Sequence, residues 1–235
     1  MSHYAFGDNT AAAQRLRLVA EIFAPTTTAF IARAVTRPPR LAVDVGCGPG
    51  HTTRLLAETT GATSTVGLDS SRAFLDLARR DAPGGVRFIA HDVTTVPFPV
   101  AAADVILARY ILSHLPQPEA AAAAWRTQLA PGGVLLLEEV ETIETSEPAF
   151  RAYLDVMTER MRAGGGELKI GPRLARLGQT SEVVSLRPTN GEAVGMFLLN
   201  LEAQGDGGPL RDGLLRIDPQ MRTIEWRLRQ VIVVK

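Results

Sequence analysis

Between residues 41 and 141 short apolar runs alternate with helix-forming stretches, and this alternation leaves the chain few ways to fold. LAVDV, STVGLD, VRFIAHD, ADVILAR and VLLLEEV read as strands. HTTRLLAE, SSRAFLDLARR and Pro118 to Leu129 read as helices between them. The strands are continuous apolar runs rather than apolar–polar alternations, as strands buried on both faces must be. Strands joined through helices run parallel, so the pattern predicts an α/β sheet covered on both sides. Val96-Pro97-Phe98-Pro99 predicts a helix-free link, and Pro131-Gly132-Gly133 a turn.

The flanks read differently. Asp8-Asn9-Thr10 offers caps for a helix whose Leu16, Val19 and Phe23 recur at helical spacing. Pro25 predicts an interruption, with Thr26 capping a second helix toward Val35 and Arg37-Pro38-Pro39 stopping it. Beyond Glu141, Phe150 to Arg162 predicts an amphipathic helix with Tyr153, Leu154, Met157 and Met161 on one side. Pro172 to Leu177 predicts a short helix, EVVSLRP a strand, Glu192 to Ala203 a helix and Gly205 to Pro209 a loop. TIEWRLRQVIVVK predicts a closing strand with one half-exposed face.

The stretch VDVGCGPGHTT carries the chemistry. Gly46, Gly48 and Gly50 follow the first strand, where a ligand of an open α/β sheet binds. Glycine there permits positive φ and close approach of a ligand to the backbone. The spacing is not the G-x-G-x-x-G of a dinucleotide loop, because His51 fills the sixth position, and the Lys-Ser/Thr of a P-loop is missing. The loop holds no cation, and Asp44 lies within the strand before it, so a pyrophosphate is disfavoured. Asp69 closes the second strand, where a carboxylate can accept from both hydroxyls of a ribose. Asp92 closes the third in Ala90-His91-Asp92-Val93, where a carboxylate can accept from an exocyclic amine while the Val93 N–H meets a ring nitrogen. Three acids after three successive strands predict a nucleoside bearing positive charge.

Charge and cysteine usage bound the alternatives. Lys+Arg and Asp+Glu both number 25, so no basic excess points to a nucleic-acid partner. Cys47 is the single cysteine, so no intrachain disulfide forms, and a small buried filler is the first reading for it. Four histidines and one cysteine show no pair spaced for a metal, so none is expected. No apolar run approaches the roughly 20 residues of a membrane span, and MSHYAFGDNT lacks the regions of a signal peptide, so a cytoplasmic location is expected.

The pieces VDVGCGPG, GLDSS, HDV, ADVILARYILSHL and LAPGGVLLLEE resemble, in order and spacing over roughly residues 41–140, the class I S-adenosylmethionine-dependent methyltransferases. The resemblance is to the small-molecule kind related to ubiquinone/menaquinone biosynthesis enzymes. It implies a three-layer Rossmann-like fold, with a seven-stranded, mostly parallel sheet whose last strand is antiparallel. It implies S-adenosyl-L-methionine as cofactor and a single domain over 1–235: a helical lid at 1–37, a cofactor-binding core at 41–141 and a substrate-side insert within 145–220. By position, Gly46, Cys47 and Gly48 would line the methionine portion and Asp44 would face its amino group directly or through water. Asp69 would hold the ribose and Ser70 would border the adenine, whose edge Asp92 and Val93 would read. Arg109 would offer its backbone carbonyl to the amino group, and Tyr4 would be a lid contact.

The expected reaction is in-line methyl transfer to a small, apolar or aromatic metabolite. If a base takes part, His114 in YILSHLP is the candidate, against the alternative that it only bonds the neighbouring loop. Glu138, Glu139 and Glu141 border the substrate or form a solvated strand edge. The rival readings are a cyclising or rearranging enzyme that binds the cofactor without consuming it, a non-catalytic binding module, and an NAD-linked oxidoreductase.

Overall fold

The computed structural model describes residues 9–235; Tyr4 lies outside them. Seven strands form one sheet: β1 (Leu41–Val45), β2 (Ser64–Asp69), β3 (Val86–Ala90), β4 (Ala103–Arg109), β5 (Leu129–Thr145), β6 (Thr180–Leu186) and β7 (Ile224–Val234). Their order is β3-β2-β1-β4-β5-β7-β6. The first five pair in parallel, and β7 runs antiparallel to both β5 and β6. The chain moves outward from β1 to β3 and then returns to β4 on the other side of β1. That reversal opens a crevice at the carboxyl ends of β1 and β4. The helices are α1 (Thr10–Ala34), α2 (His51–Thr60), α3 (Arg72–Arg80), α4 (Pro118–Thr127), α5 (Pro148–Ala163), α6 (Gly171–Leu174), α7 (Asn190–Ala203) and α8 (Pro209–Leu214).

Pro25 does not interrupt the first helix: α1 is continuous over 25 residues. A proline in a helix interior removes one bond and costs about 3 kcal/mol. Here the helix is held from outside. Ile22, Phe23, Thr27, Phe30 and Ile31 are buried. Phe30 and Ile31 pack with Ala42, Leu56, Leu107 and Leu136, whereas Ile22 and Phe23 join a second cluster with α5 and α7. The Thr26 and Thr27 hydroxyls both donate to the Phe23 carbonyl, at 2.8 and 3.1 Å. Gln230 of β7 donates to the Thr26 carbonyl at 3.3 Å.

The predicted turn at 131–133 is instead drawn into β5, which pairs with β7 from Val134 opposite Val234 to Thr145 opposite Ile224. Pairing on both sides prolongs this strand past the apolar run that predicted it. α8 occupies the region following the expected loop, and α6 is shorter than expected.

Glu138 and Glu139 are fully buried, which excludes the solvated strand edge for both. Glu138 accepts from Thr27 Oγ1 at 2.7 Å and from Gln230 Nε2 at 2.9 Å, so it ties α1 to the sheet. Glu141 pairs instead with Arg229.

Candidate active site

The glycine loop takes its shape from the backbone. Gly46 and Cys47 donate to the Leu68 carbonyl at 2.8 and 3.0 Å, which pins the loop to the end of β2. Gly46 sits at φ +73°, and a Cβ there would meet Ile111 Cγ1 at 2.8 Å. Gly48 has space around it but a φ of +51°, and its N–H donates to Asp69 Oδ2 at 2.7 Å. Asp69 Oδ1 accepts from the Ser71 N–H at 2.8 Å. Two backbone donors therefore aim the Asp69 carboxylate. The cap of α3 is Ser71, whose hydroxyl accepts from Phe74 N–H.

Asp44 behaves differently from its neighbours. It is 1% exposed, accepts from Thr53 Oγ1 at 2.7 Å, and lies behind the loop rather than in the lining of the cavity. Burial pushes its carboxyl up to about 7, opposed by the Thr53 hydrogen bond and the Arg109 charge. Asp92 is held by the Thr94 hydroxyl and N–H at 2.7 and 2.9 Å, and these bonds lower its pKa. The Val93 carbonyl accepts from Trp125 Nε1 at 2.7 Å, so α4 fixes the turn after β3.

A cavity of about 960 Å3 opens at the crevice. Gly46, Cys47, Gly48, Asp69, Ser70, Asp92, Val93, Arg109 and His114 all line it, although they come from four separate stretches of sequence. Its other wall is built by α1, α5, α7 and β7, through Phe23, Tyr153, Met157, Phe197 and Trp226. Tyr153 stacks on Phe197 with centroids 4.0 Å apart, and Asn200 donates to its hydroxyl at 2.6 Å. The helical period of 150–161 marks Tyr153 as inward-facing. Nothing local to Arg15, Leu16 or Asn200 marks them as cavity residues, because their inclusion depends on where α1 and α7 pack.

His114 ends a short 3-10 turn, Leu112–His114, whose Leu112 N–H donates to Glu139 Oε1 at 2.7 Å. Burial, with a smaller contribution from the Arg15 guanidinium, lowers His114 to about 3. The imidazole is neutral at any ordinary pH. Glu139 is raised to about 8 by burial, against the pull of the Leu112 and Ser113 bonds. Cys47 is buried, and burial followed by the Asp44 and Asp69 charges raises its thiol, which makes it a filler and not a nucleophile. No group of metal-ligating side chains exists among the described residues, and no described helix is long and apolar enough to cross a membrane.

The sheet order and the match to a methyltransferase domain agree with the resemblance to the class I S-adenosylmethionine-dependent methyltransferases. Residues 42–133 match the family model described as a methyltransferase domain. The chain is similar to trans-aconitate 2-methyltransferase of Methylobacterium radiotolerans, 34% identical over 149 residues, which are 63% of this chain and 56% of that protein. It is similar to the same enzyme of Methylobacterium nodulans, 34% identical over 70% of this chain and 58% of that one. The chain thus spans somewhat over half the length of these relatives. Among solved structures, coclaurine N-methyltransferase bound to N-methylheliamine and SAH superposes with a TM-score of 0.57, 17% identity, and coverage of 90% of this chain and 72% of that one. The plantazolicin methyltransferase BpumL in complex with SAH gives 0.53 at 13% identity, covering 94% and 87%. At such identities the two share the fold.

The donor set fits that family's cofactor. A loop without side-chain cations, an oriented Asp69 and an Asp92 at the next strand end suit a sugar and a base edge, with no phosphate to neutralise.

Proposed function

We propose that the chain transfers a methyl group from S-adenosylmethionine to a small, apolar or aromatic metabolite. One observation carries the reading: a bare, backbone-donating loop and two strand-end acids form one end of a cavity whose other end is apolar and aromatic. When bound, the cofactor supplies an electrophilic methyl group on a sulfonium. The chain's own residues supply alignment and dryness. Asp69 accepts the ribose hydroxyls, Asp92 and the Val93 N–H read the adenine, and Asp44 sets a negative potential behind the loop. Gly46, Cys47 and Gly48 allow close approach, and the Arg109 carbonyl faces the amino group. Phe23, Tyr153, Met157 and Trp226 bound the acceptor and exclude water. Well-aligned reactants gain roughly 7–11 kcal/mol from proximity alone, so displacement needs no strong base. His114, neutral beside the cavity, positions the acceptor. A group lowered to about 3 is a poor proton acceptor at neutral pH.

The relatives are named for trans-aconitate, an acid with three carboxylates. The far wall here offers aromatic and thioether surface rather than three counter-charges, so that acceptor is not carried over.

Calorimetry with S-adenosylmethionine and S-adenosylhomocysteine tests the cofactor, and turnover with a panel of phenols, quinols and aromatic acids tests the transfer. Binding of both nucleosides and release of S-adenosylhomocysteine with a methylated acceptor are expected. No heat and no change in melting temperature with either nucleoside would remove the reading.

A further inference from the structure

The apolar end of the cavity contains a buried hydroxyl with a proton to give. Tyr153 of α5 is 4% exposed and lines the cavity. Its oxygen accepts from Asn200 Nδ2 of α7 at 2.6 Å. The other neighbours of that amide set its orientation. Asn200 Oδ1 accepts from Gln204 Nε2 at 3.3 Å, and Nδ2 also meets Met157 Sδ at 3.1 Å. A phenol that accepts through its oxygen still has its O–H to donate. No described residue accepts it. Burial pushes this phenol up to about 12, so the proton stays in place at ordinary pH. A buried donor without an acceptor is costly, and a group held in the cavity is placed to answer it.

The surface around the hydroxyl is aromatic. Tyr153 stacks on Phe197, whose ring centroid is 5.9 Å from that of Trp226. The charge beside it is positive. Among the described lining residues the carboxylates are Asp69 and Asp92, both at the cofactor end, and α1, α5 and α7 add none. α1 brings Arg15 to the lining, and its charge acts on both Tyr153 and His114. Arg160, the second cation acting on Tyr153, stands outside the lining and forms an ion pair with Asp206. An ammonium group here would meet a donor proton and a like charge. An anionic oxygen would meet a donor and an opposite charge, the stronger kind of hydrogen bond.

We propose that the acceptor is an aromatic oxyanion, a carboxylate or a phenolate, whose ring rests on the Phe197 and Trp226 wall and whose charged oxygen accepts the Tyr153 O–H. The inference rests on the methyl-transfer reading above and narrows its acceptor, because it excludes the amines which that reading admits. Tyr153 is then a specificity residue. Asn200 is a positioning residue, which occupies the phenol oxygen and leaves the proton to the cavity.

The probes are 2-naphthoate, 4-nitrophenol held above its pKa, and 2-naphthylmethylamine as the ammonium. Each is titrated by calorimetry onto chain saturated with S-adenosylhomocysteine. The wild-type chain should bind at least one anion about tenfold or more tightly than the ammonium. Tyr153→Phe, which removes one oxygen and keeps the ring, should weaken that anion about 10–100-fold, the scale of a hydrogen bond to a charged group. It should leave the affinity for S-adenosylhomocysteine within about twofold. The anion whose affinity falls identifies carboxylate or phenolate as the source. A loss below about tenfold for both anions overturns the proposal, and so does an equal loss of S-adenosylhomocysteine, which would mark a collapsed wall. If the variant does not fold, the wild-type comparison decides, and an ammonium bound as tightly as the anions overturns the proposal. Chain that binds S-adenosylhomocysteine but neither anion overturns this inference alone. Chain that does not bind S-adenosylhomocysteine removes the methyl-transfer reading and this one with it.

Discussion

Raising the pH from 6.5 to 8 should lower the melting temperature, with Glu139 as the main cause. The folded carboxyl titrates near 8 and an ordinary one near 4.5, because burial outweighs the bonds from Leu112 and Ser113. Across this window the folded chain keeps a proton that the unfolded chain has already released. A raised folded pKa gives stability that is complete below the unfolded pKa and is lost as pH climbs through the folded one. Each pH unit is worth about 1.4 kcal/mol, so one and a half units remove about 2 kcal/mol. For a chain of this size that is a fall of about 4–8 °C. Asp44, raised to about 7, adds a smaller loss of the same sign over the first half unit. His114 opposes this weakly: its pKa is lowered from 6.5 to about 3, so the unfolded imidazole gives up its remaining half proton above pH 6.5 and returns about 0.4 kcal/mol. Glu139→Gln keeps an oxygen for the Leu112 N–H and cannot ionise. Scanning calorimetry at constant ionic strength should show the fall in the wild type and only the small difference between the Asp44 and His114 contributions in the variant. A wild-type melting temperature that holds or rises between pH 6.5 and 8, or an equal fall in Glu139→Gln, would refute the argument.

Two further outcomes follow from the site. Asp69→Ala should weaken S-adenosylmethionine at least about tenfold, through lost ribose bonds and a Gly48 amide left without its acceptor; titration showing unchanged affinity would put the ribose elsewhere. His114→Gln should keep activity within a few-fold, because a neutral imidazole is replaced by another neutral hydrogen-bonding group. A hundredfold loss rescued by added imidazole would restore it as the base.

The parts of the site that were legible in the sequence share a physical origin. Gly46 and Gly48 are glycines because φ is positive at each, and that requirement is met or broken at the residue itself. Asp69 ends β2 and Asp92 lies two residues beyond β3, so the strand pattern that locates the runs also locates the acids. Asp44 was equally visible as an acid in a strand. Its face was not, since which side of β1 turns toward the cavity depends on the helices packed there, and Thr53 of α2 claims it.

The sequence by itself determined the five-strand parallel core and the bare loop after β1, because backbone sterics and burial on both faces act within a few residues. Only the tertiary structure decided that α1 runs straight through Pro25, since the groups that steady it include Gln230, 204 residues from its Thr26 partner. It alone buried Glu138 and Glu139 and set Tyr153 and Asn200 in one wall. Those features depend on the solvation and company of a side chain, and both are fixed by segments far away along the chain.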